Sequence, residues 1–102
     1  MTKQERKALH EGDGLVYIIH FEKKLKHAGH YIGFCEAGNL EKRMATHRAG
    51  NGSKLMAAVT EAGINWEVAH VFEGKSRHFE RYLKNQKNSK RFCPFCRDSA
   101  RG

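Results

Sequence analysis

Long apolar runs are missing from this 102-residue sequence. Their absence argues against a transmembrane helix, which needs about 20 consecutive apolar residues. The charged stretch 1–11 also lacks the apolar centre of a secretion signal, so we expect a cytoplasmic protein without a membrane partner. Hydrophobic residues nevertheless make up 39% of the chain, which is too many for a disordered chain and suits one small globular domain.

Cysteine is scarce, and its count is odd: Cys35, Cys93 and Cys96. An odd number without a secretion signal argues against a disulfide framework. The Cys93–Cys96 spacing is that of half a structural zinc site, which needs two further ligands. Cys35 and one histidine are the candidates, the histidine being one of His10, His20, His27, His30, His70 or His78. Two reduced thiols in a loose tail are an equally good explanation of the pair.

Acidic residues are few compared with basic ones. Eleven Asp and Glu stand against 19 Lys and Arg, which gives a net charge of +8. Such an excess favours a polyanionic partner, with nucleic acid as the first candidate and an anionic membrane as the second. Candidate nucleic-acid-binding residues are Lys23, Lys24, Lys26, Arg48 and Lys84. For the three lysines before His27, an ordinary solvated loop is an equally good explanation.

Runs rich in β-branched and aromatic residues predict three strands, at 15–21, 29–35 and 64–72. The first run is almost continuously apolar, which indicates burial on both faces. The polar stretch 22–28 would join the first two strands in an antiparallel hairpin, through a loop longer than a two-residue turn. The third run alternates, so its core-facing residues would be Ile64, Trp66 and Val68, with His70 and Phe72 as further candidates.

Three polar residues can cap helices, because their side-chain oxygens accept an otherwise unpaired backbone N–H: Asn39, Ser53 and Ser76. The last helix would run from Arg77 to about Asn88, with Phe79, Tyr82 and Leu83 facing inward. The order β-β-α-α-β-α predicts an α/β (α+β) fold, a small three-stranded, mainly antiparallel sheet with flanking helices. Residues 1–13 would be a flexible or short helical leader, 14–88 the domain, and 89–102 a tail with the Cys-x-x-Cys turn.

The first two strands carry a recognisable pattern. Leu15-Val16-Tyr17 is followed, after thirteen residues, by Tyr31-Ile32-Gly33, and the pair resembles the motif of the GIY-YIG nuclease family. The second half is complete, whereas leucine and valine replace the usual glycine and isoleucine of the first. The resemblance continues through the arginine and histidine of residues 39–48 and the glutamate of residues 77–85. It covers residues 14–87, most of the chain.

The resemblance implies a DNA endonuclease that hydrolyses phosphodiester bonds with a single divalent ion, Mg²⁺ or Mn²⁺. Glu80 would bind the ion, and the planar fork of Arg43 would hold the scissile phosphate. Tyr17 would orient or deprotonate the attacking water, and Tyr31 would support it from the neighbouring strand. His47, four residues after Arg43 on the same helix face, could donate to the phosphate or the water.

Two details of this site are chemical expectations. A phenol with a pKa near 10 is a poor base at neutral pH, so Tyr17 needs a nearby cation, such as Arg43, the metal ion or a lysine, to lower its pKa. Gly33 would let the backbone pack closely against a helix.

Two other functions remain open on the sequence. One is a nucleic-acid-binding module that kept the fold and lost the chemistry, which the incomplete first half of the motif favours. The other is a zinc-stabilised interaction domain, which would bind zinc stoichiometrically and show no salt-dependent affinity for DNA. GIY-YIG proteins often carry a separate DNA-binding domain, for which this chain has little room. We therefore expect one of four arrangements: weak specificity, recognition of DNA structure, a homodimer, or targeting by a partner protein.

Overall fold

The computed structural model describes residues 9–86 and 89–96 of the chain. Strands β1 (Glu11–Leu25), β2 (Ala28–Glu36) and β3 (Trp66–Lys75) form one antiparallel sheet in the order β2-β1-β3. The helices are α1 (Leu40–Arg48), α2 (Lys54–Glu61), α3 (Arg77–Gln86) and the short α4 (Ser89–Phe92). The predicted fold class and element order are confirmed, with α4 as an addition. The predicted leader up to residue 8, the helix end near Asn88 and the tail after residue 96 lie outside the described residues.

The centre of β1 is buried on both faces, as its continuous apolar run predicted. Residues 16–19 are each at most 1% exposed. On one face, Tyr17 and Ile19 pack against Met44 of α1 and against α2. On the other face, Val16 and Ile18 pack against Leu83 of α3. Alternate side chains of one central strand therefore contribute to two separate core layers.

The β1–β2 hairpin is longer and tighter than the sequence indicated. Leu25 pairs with Ala28, so only Lys26 and His27 form the turn, and the prediction of a longer loop is wrong. Lys26 has a φ of 57°, the left-handed conformation that two-residue hairpin turns use. The strands extend this far because Leu25 and Ala28 pack against the core layer of Tyr17.

The start of β1 also differs from the prediction. The predicted strand began at residue 15, yet the glycine-containing stretch 12–14 is also part of β1. Both Glu11 and Gly14 pair with Lys75 of β3, with a register shift between them. Pairing with the end of β3 therefore holds this polar stretch in the sheet.

A bulge at Ala69 interrupts the alternation of β3. Consecutive residues of β1 face partners two apart in β3, as Ile18↔His70 and Ile19↔Val68. A bulge inserts an extra residue and so moves the side chains that follow it to the opposite face. Trp66, before the bulge, packs in the core layer of Tyr17, whereas Phe72, after it, packs in the core layer of α3. The expectation that His70 and Phe72 share a face with Trp66 is therefore wrong.

The helix starts agree with the predicted caps in two of three cases. The hydroxyls of Ser53 and Ser76 each accept a backbone N–H from the first turn of the following helix. Asn39 occupies the cap position of α1, but its side chain makes no capping bond within the described part of the chain. Its φ of −107° and ψ of 8° are not the extended conformation of a capping residue. On α3, Leu83 is buried as predicted, whereas Tyr82 is 41% exposed.

Candidate active site

Tyr17 and His47 are joined by a buried hydrogen bond between the sheet and α1. The Tyr17 hydroxyl lies 2.8 Å from Nε2 of His47, and the two residues are 1% and 0% exposed. Burial, and then the charge of Arg43, lower the pKa of His47 below its usual 6.5. The imidazole is therefore neutral at neutral pH, and each partner of this bond can donate or accept according to the tautomer.

The charge state of Tyr17 differs from what the sequence suggested. Burial is the largest effect and raises the pKa of its phenol, and Tyr31 raises it further. Arg43 lowers it, as expected of a nearby cation, but does not outweigh burial. Tyr17 therefore stays protonated at neutral pH, and the expected activation by a depressed pKa is not found in the protein without an added cation.

Arg43 and Glu80 approach Tyr17 from different helices. Besides Tyr31 and Arg43, the charged forms that influence the Tyr17 phenol are those of Cys35 and Glu80. Arg43 also acts on the Cys35 thiol, whose pKa is raised chiefly by burial. One guanidinium from α1 and one carboxylate from α3 thus lie within electrostatic range of the same buried phenol.

Glu80 reaches this region at the β2 edge of the sheet. Its side chain is 16% exposed and pairs with Lys84 at 3.4 Å. The Lys84 ammonium lies 6.0 Å from the ring centroid of Tyr31, on the edge strand β2. Although α3 covers the sheet face opposite to Tyr17, its Glu80–Lys84 turn therefore lies beside the strand that carries Tyr31.

Aromatic rings enclose the Tyr17–His47 pair. The ring of His47 lies 5.2 Å from that of Tyr31 and 6.5 Å from that of Trp66, in edge-to-face orientations. The guanidinium of Arg48 lies 4.5 Å above the ring of Trp66. The contribution of Trp66 to this wall was not predicted, because its strand pattern indicated only a core residue.

Two glycines make room for the pair. A Cβ on Gly33, which pairs with Tyr17 across the strands, would lie 2.4 Å from the phenol. Gly33 therefore accommodates Tyr17, and the expectation of close packing against a helix is wrong. A Cβ on Gly52 would lie 2.1 Å from Nδ1 of His47, an atom without a hydrogen-bond partner among the described residues. The role of Gly52 was not predicted, because nothing in the sequence connects it with His47.

Of the five residues that the resemblance assigned to catalysis, Tyr17, Tyr31 and His47 contact one another, and Arg43 and Glu80 lie within electrostatic range of Tyr17. Arg48 lies next to this group because it stacks on Trp66, and Lys84 lies next to it because it pairs with Glu80. The remaining candidate DNA-binding residues, Lys23, Lys24 and Lys26, are exposed near the tip of the hairpin.

The cysteine pair lies elsewhere, beside two histidines. The potential ligand atoms of Cys93, Cys96, His20 and His30 all lie within 4.8 Å of one another, so this cluster can hold a metal ion. Cys35 is not part of it, because it is 2% exposed in the core layer of Tyr17.

Comparison with known protein families matches residues 13–92 to the GIY-YIG catalytic domain. Because the match covers most of the chain, the protein belongs to this family of nucleases, which act on nucleic acids and use a divalent metal. The resemblance seen in the sequence is thereby confirmed. No curated protein and no solved structure matches the chain significantly. No helix in the described ranges is long and apolar enough to cross a membrane.

Proposed function

We propose that the protein is a DNA endonuclease that hydrolyses phosphodiester bonds with the help of one divalent ion, Mg²⁺ or Mn²⁺. The main support is the buried Tyr17–His47 hydrogen bond. In addition, the charges of Arg43 and Glu80 both affect the pKa of the same phenol. A core tyrosine needs only one partner for its hydroxyl. A phenol, an imidazole, a guanidinium and a carboxylate in one place are the groups that phosphodiester hydrolysis requires.

Glu80 is the residue that would hold the ion. A single carboxylate suits Mg²⁺, which keeps several water molecules and takes phosphate oxygens as further ligands. When bound, the ion supplies charge neutralisation at the phosphate and an acidified water. Lys84 shares the same carboxylate at 3.4 Å, so it competes with a cation for Glu80.

Arg43 is suited to hold the scissile phosphate. The residue is half-buried, and its guanidinium stays charged at any working pH. It forms no ion pair with the described residues, so its charge is available to an incoming phosphate. The planar fork can contact two phosphate oxygens at once.

The Tyr17–His47 pair can accept the proton of the attacking water. With the imidazole hydrogen on Nδ1, the Tyr17 hydroxyl donates to Nε2. As the water oxygen bonds to phosphorus, its proton moves to the phenol oxygen, and the phenol proton moves to His47. The bond from phosphorus to the leaving oxygen breaks, and that oxygen takes a proton from solvent. His47 then releases its extra proton to solvent, which restores the neutral pair. Tyr31 supports the water or the phosphate from β2.

Charge outside the site supports binding to DNA. The net charge of +8 favours a duplex, and contacts from lysines to phosphates give affinity without sequence choice. Arg48 and Lys84 flank the site, and the hairpin lysines Lys23, Lys24 and Lys26 would extend the contact. A second copy of the chain or a targeting partner would then select the target.

Plasmid nicking tests the proposal. Supercoiled DNA is incubated with Mg²⁺, Mn²⁺ or EDTA and with the natural chain, Glu80→Ala or Glu73→Ala, the last removing an exposed carboxylate on β3. We expect nicking by the natural chain and Glu73→Ala with either metal, and none with EDTA or Glu80→Ala. Binding to the plasmid without nicking by the natural chain would overturn the enzyme and favour a binding module. A parallel RNA substrate checks the preference for DNA.

A further inference from the structure

Four side chains from distant parts of the sequence meet on the face of the hairpin opposite to Tyr17. His20 on β1 and His30 on β2 are direct cross-strand partners. His20 alternates with Ile19 and Phe21, which belong to the core layer of Tyr17, so it points to the other face. Cys93 and Cys96 follow α4 and approach these histidines from the tail.

The distances among these atoms are those of ligands around one ion. Nδ1 of His20 lies 3.4 Å from Nε2 of His30, 3.4 Å from Sγ of Cys93 and 3.6 Å from Sγ of Cys96. Sγ of Cys96 lies 3.2 Å from Nε2 of His30. Tetrahedral zinc with ordinary bond lengths places two nitrogens about 3.3 Å apart, and a sulfur and a nitrogen about 3.6 Å apart.

Hydrogen bonding alone does not explain this cluster. A ring nitrogen of histidine carries either one hydrogen or one lone pair. Nδ1 of His20 nevertheless has three neighbours within 3.6 Å: a ring nitrogen and two sulfurs. A shared cation satisfies all these contacts together, because each atom then directs one lone pair to the centre.

We propose that His20, His30, Cys93 and Cys96 bind a structural zinc ion. Two thiolates and two imidazoles are ligands that zinc favours, whereas Mg²⁺ prefers oxygen. Four protein ligands fill a tetrahedral shell and leave no position for a substrate. Cys93 is fully buried, which also suits a closed site. This ion is therefore distinct in chemistry and place from the one proposed at Glu80.

The zinc ion connects the two parts of the chain that carry Tyr31 and Glu80. Tyr31 directly follows His30 on β2, and Glu80 lies on α3, which precedes the cysteines. The ring of Phe95, between the cysteines, lies 5.4 Å from that of His20 and packs the turn against the hairpin. Coordination thus fastens the chain after α3 to the sheet, which adds stability to a domain with a small core.

Metal analysis of the full chain tests this site independently of nuclease activity. We expect about one zinc per chain after growth with zinc. Replacement by Co²⁺ should give the visible absorption of a tetrahedral thiolate site. Zinc should be lost in Cys96→Ser and in His20→Ala/His30→Ala, and retained in the matched controls Cys35→Ala and His27→Ala.

Thermal unfolding keeps the test decisive if a ligand variant does not fold. Removal of zinc from the natural chain with a chelator should lower Tm by about 10 °C or more, and added zinc should restore it. A natural chain without zinc and without the cobalt absorption would overturn the proposal. So would full zinc content in His20→Ala/His30→Ala, or equal loss of zinc in Cys35→Ala.

Discussion

The hydroxyl of Tyr17 and Nε2 of His47 lie 2.8 Å apart, although the two residues are thirty positions apart in the chain. The contact joins the central strand to α1 at a point that solvent scarcely reaches. Burial keeps the phenol protonated and the imidazole neutral, so the hydroxyl has a hydrogen to donate and the imidazole has a lone pair to accept it. The pair is therefore the part of the site on which the proposed hydrolysis depends most.

Gly33→Ala should disturb this pair. The added Cβ would lie 2.4 Å from the Tyr17 phenol, so the ring must move away from His47. We expect the free energy of unfolding to fall by about 1–3 kcal/mol, as for other overpacked cores, and nicking to slow at least about tenfold. Chemical denaturation and plasmid nicking measure the two effects.

Gly29→Ala is the matched control on the same strand. Its added Cβ would meet only the Lys24 side chain, at 3.5 Å, which is an ordinary contact. Stability and nicking should stay close to those of the natural chain. Equal effects of the two substitutions would contradict the assigned role of Gly33.

His47 should titrate below the usual pKa of histidine. Burial and Arg43 disfavour its protonated form in the folded protein, whereas the unfolded chain takes up the proton near pH 6.5. The unfolded state therefore binds more protons just below pH 6.5, and stability is lost as the pH falls from there through the folded pKa. NMR titration of the seven histidines, with His47→Gln to assign the signal, measures this value.

A folded-state pKa of His47 at or above the usual 6.5 would contradict a neutral, buried imidazole.

Replacing the hairpin lysines should weaken binding to DNA without changing its sequence preference. In the variant Lys23→Ala/Lys24→Ala/Lys26→Ala, each lost phosphate contact should reduce the slope of log affinity against log salt by about 0.9. Fluorescence anisotropy with a labelled duplex at several salt concentrations measures the slope. Lys54→Ala, an exposed lysine of α2, controls for general charge. An unchanged slope in the triple variant would place the hairpin outside the DNA contact.

The order of the elements and the burial of the first strand could be predicted because they depend on local patterns. The apolar run around Tyr17 requires burial on both sides, and only a central strand between helices provides it. Ser53 and Ser76 mark helix starts through a bond to the next turn. Arg43 and His47 are four residues apart, so any helix places them on one face.

Features that depend on pairing between distant strands could not be predicted. The bulge at Ala69 cannot be recognised from the apolar–polar alternation of β3, because it is defined only by the register with β1. Likewise, six histidines could have joined the cysteine pair. The opposition of His20 and His30 depends on a register shift between Leu25 and His20, as well as on the two-residue turn at Lys26.

The Tyr17 hydroxyl should take part in strand cleavage rather than in binding DNA. Tyr17→Phe removes only that oxygen, and Tyr82→Phe makes the same change on an exposed face of α3. With both variants shown to be folded by circular dichroism, nicking rates and Kd for a DNA duplex are measured at saturating Mg²⁺. We expect Tyr17→Phe to nick at least about 100-fold more slowly, with an unchanged Kd, and Tyr82→Phe to match the natural chain. Equal nicking by the two variants would contradict this role of the hydroxyl.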